Sequence, residues 1–261
     1  MSPRLRVAAV KFANARPLWD ALASHPRVTL TLDTPRACAR LLEEGACDVG
    51  LVPAVEVIRH GWRPLGRGGV ASTDRARTVL LLAPGPLSSL EAVVADPASR
   101  TSNALCEVLL RRRFRLATPL HDADAPPEAR GQGLAARVLI GDAALRPPPA
   151  ALTLDLAREW TAWTGLPFVF ARWAAPRRRP PAWWSALLDE ALARGLAARP
   201  ALAASEAARL DLPRDDVEEY LTVTLRHELG VEHAAALDLF AEHVAGVAAT
   251  PLPEQPAGRC A

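Results

Sequence analysis

The fold class this sequence predicts is α/β, with two lobes and a ligand cleft between them, and three observations predict it. Short apolar runs alternate with amphipathic helical stretches through the first two-thirds of the chain. The alternation restarts after "EAVVAD" (91–96), as a second α/β unit would. Beyond residue 176 the pattern is almost wholly helical. Repeated strand–helix–strand order also implies a mainly parallel sheet with helices on both faces.

Taken in order, "LRVAAV" (5–10) reads as a buried strand and "ARPLWDALASH" (15–25) as the helix after it. "VTLTLD" (28–33) is a second strand. In "TPRACARLLEEG" (34–45), Thr34 is an N-cap, Pro35 takes the first helical position, Cys38, Leu41 and Leu42 form an apolar stripe, and Gly45 ends the helix. "DVGLVP" (48–53) and "TVLLLAP" (78–84) are further strands. In the second unit, "EAVVAD" leads into the helix "TSNALCEVLLRRRF" (101–114), and a Pro- and Gly-rich loop covers 118–133. "ARVLIGDAAL" (136–145) is a strand ending in a polar turn, "LDLAREWTAWTG" (154–165) a helix stopped by Gly165, and "LPFVFARWAAP" (166–176) an apolar strand-like run. Residues 181–198 and 213–247 read as helix, and the tail from Thr250 as a loose proline-rich end. These segments divide into lobe 1 (1–86), lobe 2 (87–172) and a helical return to lobe 1 (173–261). The crossover falls near Ala83–Leu90, the return falls near Phe170–Pro176, and the C-terminal helices pack on lobe 1.

Composition bounds the function. At 261 residues, half of them hydrophobic and 23% charged, the chain is of ordinary globular make-up. A net charge of +2 supplies no strong field for nucleic acid or a membrane surface. Lys11 is the only lysine, so the arginine-rich surface reflects general composition and single arginines carry little weight. Cys38, Cys47, Cys106 and Cys260 show neither CxxC nor His/Cys ligand spacing, which argues against a zinc site or a disulfide framework. The N-terminus lacks an apolar signal core and no segment is long enough to span a bilayer, so a cytoplasmic location is expected. There is no Gly-rich phosphate loop, GxSxG elbow or acidic metal cluster.

Four polar turns follow strands and converge on one cleft in an open α/β architecture. They hold Asn14, then Pro53 and Ala54, then the hydroxyls of Ser99, Thr101 and Ser102, then Gly141 and Asp142. A helix start needs one capping hydroxyl, and "DPASRTSNAL" (96–105) offers three beside unpaired first-turn N–H groups and the positive end of the helix dipole. That combination suits a carboxylate or phosphate. An ordinary N-cap with solvated neighbours fits the same residues, and Asn14 and Asp142 are equally usual as turn formers. Glu56 reads as solvent-facing or locally paired, His227, His233 and His243 as surface residues of the C-terminal helices, and the tryptophans at 160, 163, 173, 183 and 184 as core.

Six segments in order resemble the menaquinone biosynthetic proteins of the futalosine route: "NARPL", "ARLLEEGACDVGLVPAVE", "DPASRTSNALCEVLL", "VLIGDAAL", "DLAREWTAWTGLPFVFARW" and "YLTVTLRHELG". The resemblance implies the two-lobed fold of type 2 periplasmic solute-binding proteins. Within the family the chain is similar to the chorismate dehydratase branch, whose hydro-lyase activity converts chorismate to 3-[(1-carboxyvinyl)oxy]benzoate and water. The sibling branch makes 1,4-dihydroxy-6-naphthoate and carries a catalytic histidine where this chain has Gly141. A non-catalytic small-anion binding protein is the rival from outside enzymology. The resemblance implies Asn14 and Asp142 as catalytic candidates. It implies Pro53, Ala54, Ser72, Thr78, Ser99, Thr101, Ser102 and Gly141 as substrate contacts, with Ser72 and Thr78 on a loop that matches only in part. It implies a small-molecule substrate, no metal and no organic cofactor. Either the substrate's own side-chain carboxylate or, failing that, Asp142 removes the proton. Phe12-Ala13 replaces the family's usual Tyr-Leu before the asparagine.

Overall fold

The computed structural model describes residues 4–125, 134–176 and 180–249. The loop segment 126–133 and the proline-rich tail from Thr250 lie outside the described residues. Two mixed sheets organise the chain. Elements in order are β1 (Leu5–Val10), α1 (Arg16–Ala23), β2 (Val28–Asp33), α2 (Pro35–Glu43), β3 (Val49–Pro53), α3 (Ala54–His60), β4 (Arg63–Ser72) and β5 (Val79–Ala83). They continue as β6 (Ala92–Val94), α4 (Arg100–Val108), β7 (Leu120–His121), β8 (Ala135–Ile140), β9 (Leu152–Asp155), α5 (Leu156–Thr164), β10 (Phe168–Ala175), α6 (Ala182–Leu210), α7 (Arg214–Glu219), β11 (Leu225–Glu228) and α8 (Val231–Ala248).

The first sheet runs β11-β4-β10-β3-β1-β2 and the second β7-β6-β8-β5-β9. β1 is parallel to β2 and β3, as βαβ order dictates. The expectation of a mainly parallel sheet is corrected beyond that point. β10 enters from the other sheet and lies antiparallel to both β3 and β4, and β11 and β5 also pair antiparallel. The chain passes between sheets through residues 73–78 and returns through 165–167. Both links precede the crossovers expected at Ala83–Leu90 and Phe170–Pro176.

Local chemistry explains the elements. β1 is buried almost throughout, the pattern of a central strand with helices on both faces. The Thr34 hydroxyl accepts from the Ala37 N–H and Pro35 opens α2, while Cys38, Ala39 and Leu42 face inward. Gly165 ends α5 in the left-handed conformation at φ 73°. The Asp155 carboxylate caps α5 by accepting from Ala157 and Arg158 N–H, and also from Ala76 and Arg77 N–H in the crossover link. It thereby holds that link to the second sheet, although burial raises its pKa.

The C-terminal third departs from the all-helical reading. After α7 the chain makes a π turn at Tyr220–Thr224 and then forms β11, where Leu225 and His227 point inward and Arg226 and Glu228 outward. That two-residue alternation is a strand's. α6 packs on α1 and β4, whereas α8 contributes Phe240 and Val247 to the second core. There Phe240 meets Trp160 and Phe168 edge-to-face. Trp160 and Trp173 are fully buried core residues. His227 and His233 are also buried, contrary to their surface reading: His227 lies on β11, the strand that pairs with β4 at the edge of the first sheet, and His233 lies on α8, which packs on β10. Cys38, Cys47 and Cys106 are free buried thiols whose pKa values burial pushes up, to about 12, 11 and 12.

Candidate functional site

A cavity lies where the two sheets face each other. The turn after β1 supplies Phe12 and Asn14, the start of α4 Ser99 and Ser102, the link between sheets Thr78, and the end of β8 Gly141. Val10, Val70, Phe170 and Leu225 complete an apolar wall. Its volume is about 40 Å³, room for ordered water but not for an aromatic-sized metabolite.

Asn14 is held from two directions. Its backbone carbonyl accepts a hydrogen bond from His227 Nε2–H at 2.8 Å, and the preceding Ala13 N–H donates to Asp142 Oδ1 at 3.0 Å. Burial lowers the His227 pKa to about 4, so the ring is neutral at pH 7 and Nε2 carries the proton that the carbonyl needs. The Asn14 side-chain oxygen, Oδ1, is buried without a partner. A buried acceptor left unpaired is costly, which marks it as a position for a ligand donor.

The hydroxyl cluster divides. Ser99 caps α4: its oxygen accepts from the Ser102 N–H at 3.2 Å and its O–H donates to Ser102 Oγ at 3.0 Å. That leaves the Ser102 hydroxyl proton free to donate to an anion at the open first turn of the helix. Thr101 turns the other way. Its Oγ1 accepts from the Val55 N–H at 3.1 Å and so caps α3 instead of lining the cavity. Asp96 lies two residues beyond β6, and its carboxylate accepts from Ala98 and Ile140 N–H, fixing α4's start to the end of β8.

The remaining expected residues sort by the same test. Gly141 lines the cavity at φ 70°, and a β-carbon there would lie 2.9 Å from the Phe12 ring, so any side chain is both strained and blocked. Thr78 also lines it and its Oγ1 is 2.7 Å from the Tyr220 hydroxyl. Pro53, Ala54 and Ser72 are buried outside the lining, Ala54 against Ala71 and Val169. Asp142 is also outside it. Its second oxygen accepts from Arg209 Nη2 at 2.6 Å, so both oxygens are engaged. Glu56 is buried rather than solvent-facing, paired with Arg59, His60 and Arg100. Sequence reasoning missed Tyr220 and His227, which lie in the segment read as helix. The inward alternation of Leu225 and His227 was the available signal.

None of the residues lining the cavity is Asp, Glu, His or Lys. What the lining offers a ligand is therefore hydroxyls, an amide and helix N–H groups, between apolar walls. Among the described residues, no group of three or more His, Cys, Asp or Glu could hold a metal ion, and no helix is long and apolar enough to cross a membrane.

Comparison with known proteins places the chain in a family and a fold. A family model described as menaquinone biosynthesis matches residues 5–246. A chorismate dehydratase of Thermus thermophilus is 30% identical over 263 residues, 89% of this chain and 92% of its own. A chorismate dehydratase of Campylobacter jejuni is 26% identical over 196 residues, 74% of this chain and 73% of its own. Among solved structures, protein AF1704 of Archaeoglobus fulgidus superposes with a TM-score of 0.74 at 14% identity, covering 95% of this chain and 99% of that one. The periplasmic aliphatic sulphonate binding protein SsuA of Escherichia coli gives 0.59 at 16%, covering 100% and 97%. The fold is that of periplasmic binding proteins.

Proposed function

Because this chain belongs to the menaquinone biosynthesis family, we propose that it is a hydro-lyase that dehydrates chorismate to 3-[(1-carboxyvinyl)oxy]benzoate. The reaction removes the ring hydroxyl and the hydrogen on the neighbouring carbon that bears the enolpyruvyl ether. Aromatisation drives it, so the protein's task is to hold a reactive conformer and assist two proton movements. One observation carries the reading at the site: an unpartnered Asn14 Oδ1 sits in a cavity shared with the Ser99/Ser102 helix start, and no lining residue can serve as base. A substrate carboxylate belongs at Ser99 and Ser102, where hydroxyl and N–H donors meet the helix dipole. The leaving hydroxyl belongs at Asn14. The proton then goes to the substrate's own side-chain carboxylate, which returns it to the departing hydroxyl so that the C–O bond breaks with release of water and the ring becomes aromatic.

Gly141 favours the dehydratase over the naphthoate-forming sibling: the position holds no imidazole, and a side chain there would take a strained positive φ and crowd the Phe12 ring. A place on the futalosine route and a cytoplasmic location belong to the same proposal, supported by the biosynthetic family. The test is direct. Purified protein incubated with chorismate should consume it and release the substituted benzoate, detected by its aromatic absorbance after chromatography. Binding without turnover would make the chain a sensor, and neither binding nor turnover would overturn the reading.

A further inference from the structure

We propose that His227 is a positioning residue for this reaction: from a β-bulge beside the cavity wall, its imidazole holds the peptide of Asn14 and so fixes where the Asn14 amide oxygen stands. The inference rests on the reading of the cavity as the chorismate site. His227 Nε2 lies 2.8 Å from the Asn14 backbone oxygen. A carbonyl only accepts, so Nε2 carries a proton and donates it whichever charge the ring bears. Asn14 is the middle residue of a 3₁₀ turn, Ala13–Ala15, between β1 and α1. Neighbouring groups of that turn are already engaged: Ala13 N–H donates to Asp142, Ala15 N–H to the Phe12 carbonyl, and Arg16 N–H to the Ala13 carbonyl. Among the described residues, His227 is the side chain that holds the carbonyl of Asn14 itself.

The sheet delivers this side chain to the turn. β11 pairs antiparallel with β4, with Arg226 opposite Ala71 and Glu228 opposite Gly68. Two steps along β11 therefore match three along β4, and Gly69 and Val70 together oppose His227. That is a β-bulge, a device that re-aims a side chain and recurs beside active sites. Leu225, on the same inward face of β11, and Val70, in the bulge, both line the cavity, so His227 stands next to that wall without entering it. Its ring is buried, and the other nitrogen, Nδ1, has no partner. An apolar side chain of similar size would fill the place without burying an unpaired nitrogen, so packing does not call for histidine here. What the imidazole adds is the bond to Asn14. The Asn14 Oδ1, buried without a partner, then meets the substrate from a backbone that is held in place. A misplacement of about 1 Å at such a group costs on the order of 100-fold in rate.

His227→Leu, His227→Asn and His227→Gln test this in the full chain. The two amides share one chemistry and differ in reach: glutamine carries its N–H about as far from the backbone as Nε2, asparagine only as far as Nδ1. His227→Leu and His227→Asn should lower kcat roughly 10- to 100-fold with KM within about threefold. His227→Gln should restore kcat to within about fivefold of wild type, each protein being assayed well below its own unfolding temperature. A second readout reports on the turn itself. The sequence has two asparagines, Asn14 and Asn103, so wild type labelled with ¹³C at the asparagine backbone carbonyl gives two signals, and Asn14→Ala identifies which is which. The Asn14 signal should move in His227→Leu and stay near its wild-type position in His227→Gln. Full kcat in folded His227→Leu, equal losses in His227→Gln and His227→Asn, or an Asn14 signal unmoved in His227→Leu would overturn the proposal. If His227→Leu does not fold, the comparison of His227→Gln with His227→Asn decides it. A wild type inactive on chorismate would instead overturn the proposed function, and the carbonyl signal would still decide whether His227 holds the turn.

Discussion

Asn14 is the residue to which the proposed reaction assigns most: its amide oxygen is buried without a partner and its backbone is pinned by His227. Asn14→Ala should cost about 100-fold or more in kcat while binding weakens less, the pattern of a group that acts on the transition state. Steady-state kinetics on chorismate check it. His227 yields a stability prediction with a definite sign. Its folded pKa, about 4, lies below the unfolded value near 6.5, so the unfolded chain binds the proton first. Stability is whole above about pH 6.5 and falls as pH drops towards 4, by on the order of 2–3 kcal/mol from this residue. Urea unfolding at pH 7 and pH 5 should show His227→Gln to be less acid-sensitive than wild type, even though His233 and His243 shift in the same direction from burial. Asn14, Ser99, Ser102 and Gly141 were legible in the sequence because each lies in a polar turn after a strand. Tyr220 and His227 were not, because a buried polar side chain in an amphipathic run looks like one on a helix surface.

At the scale of elements, continuous apolar runs such as β1, β3 and β5 declared themselves, and so did α2 through its cap and proline. β4 did not: "RPLGRGGVAS" breaks its apolar pattern with three glycines, and two of them lie beneath Trp173 and Leu229, where a β-carbon would collide. β11 was hidden by the helices on either side of it. The helix start at α4 was legible in its surplus of hydroxyls, but the share of each hydroxyl depended on α3 arriving alongside. Thr101 serves α3, so Thr101→Val should leave the Val55 N–H unpaired and cost about 1–3 kcal/mol with kcat near wild type. Thermal unfolding alongside turnover checks both halves. A collapse of kcat in stably folded protein would return Thr101 to the cavity.

For the whole molecule, the two-lobed division was legible in the restart of the α/β pattern, while strand direction was not, because it depends on where β10 inserts. Closure has an ionic tie. Asp142, at the end of β8 in the second sheet, bonds the Ala13 N–H of the first lobe and Arg209 of α6. Arg209 also holds the buried Glu206, which pairs with Arg16 of α1. Asp142→Asn keeps the size and removes the charge. It should raise KM several-fold with kcat within a few-fold, since the pair is only partly exposed and assists closure. Loss of kcat with intact binding would instead make Asp142 the base.

The structure of the protein with 3-[(1-carboxyvinyl)oxy]benzoate bound tests the central claim most directly. A product carboxylate should lie within hydrogen-bond reach of Ser99, Ser102 and the first turn of α4, with Asn14 beside the ring carbon that lost its hydroxyl. Product bound away from this cavity, or an ionisable side chain against the deprotonated carbon, would contradict it.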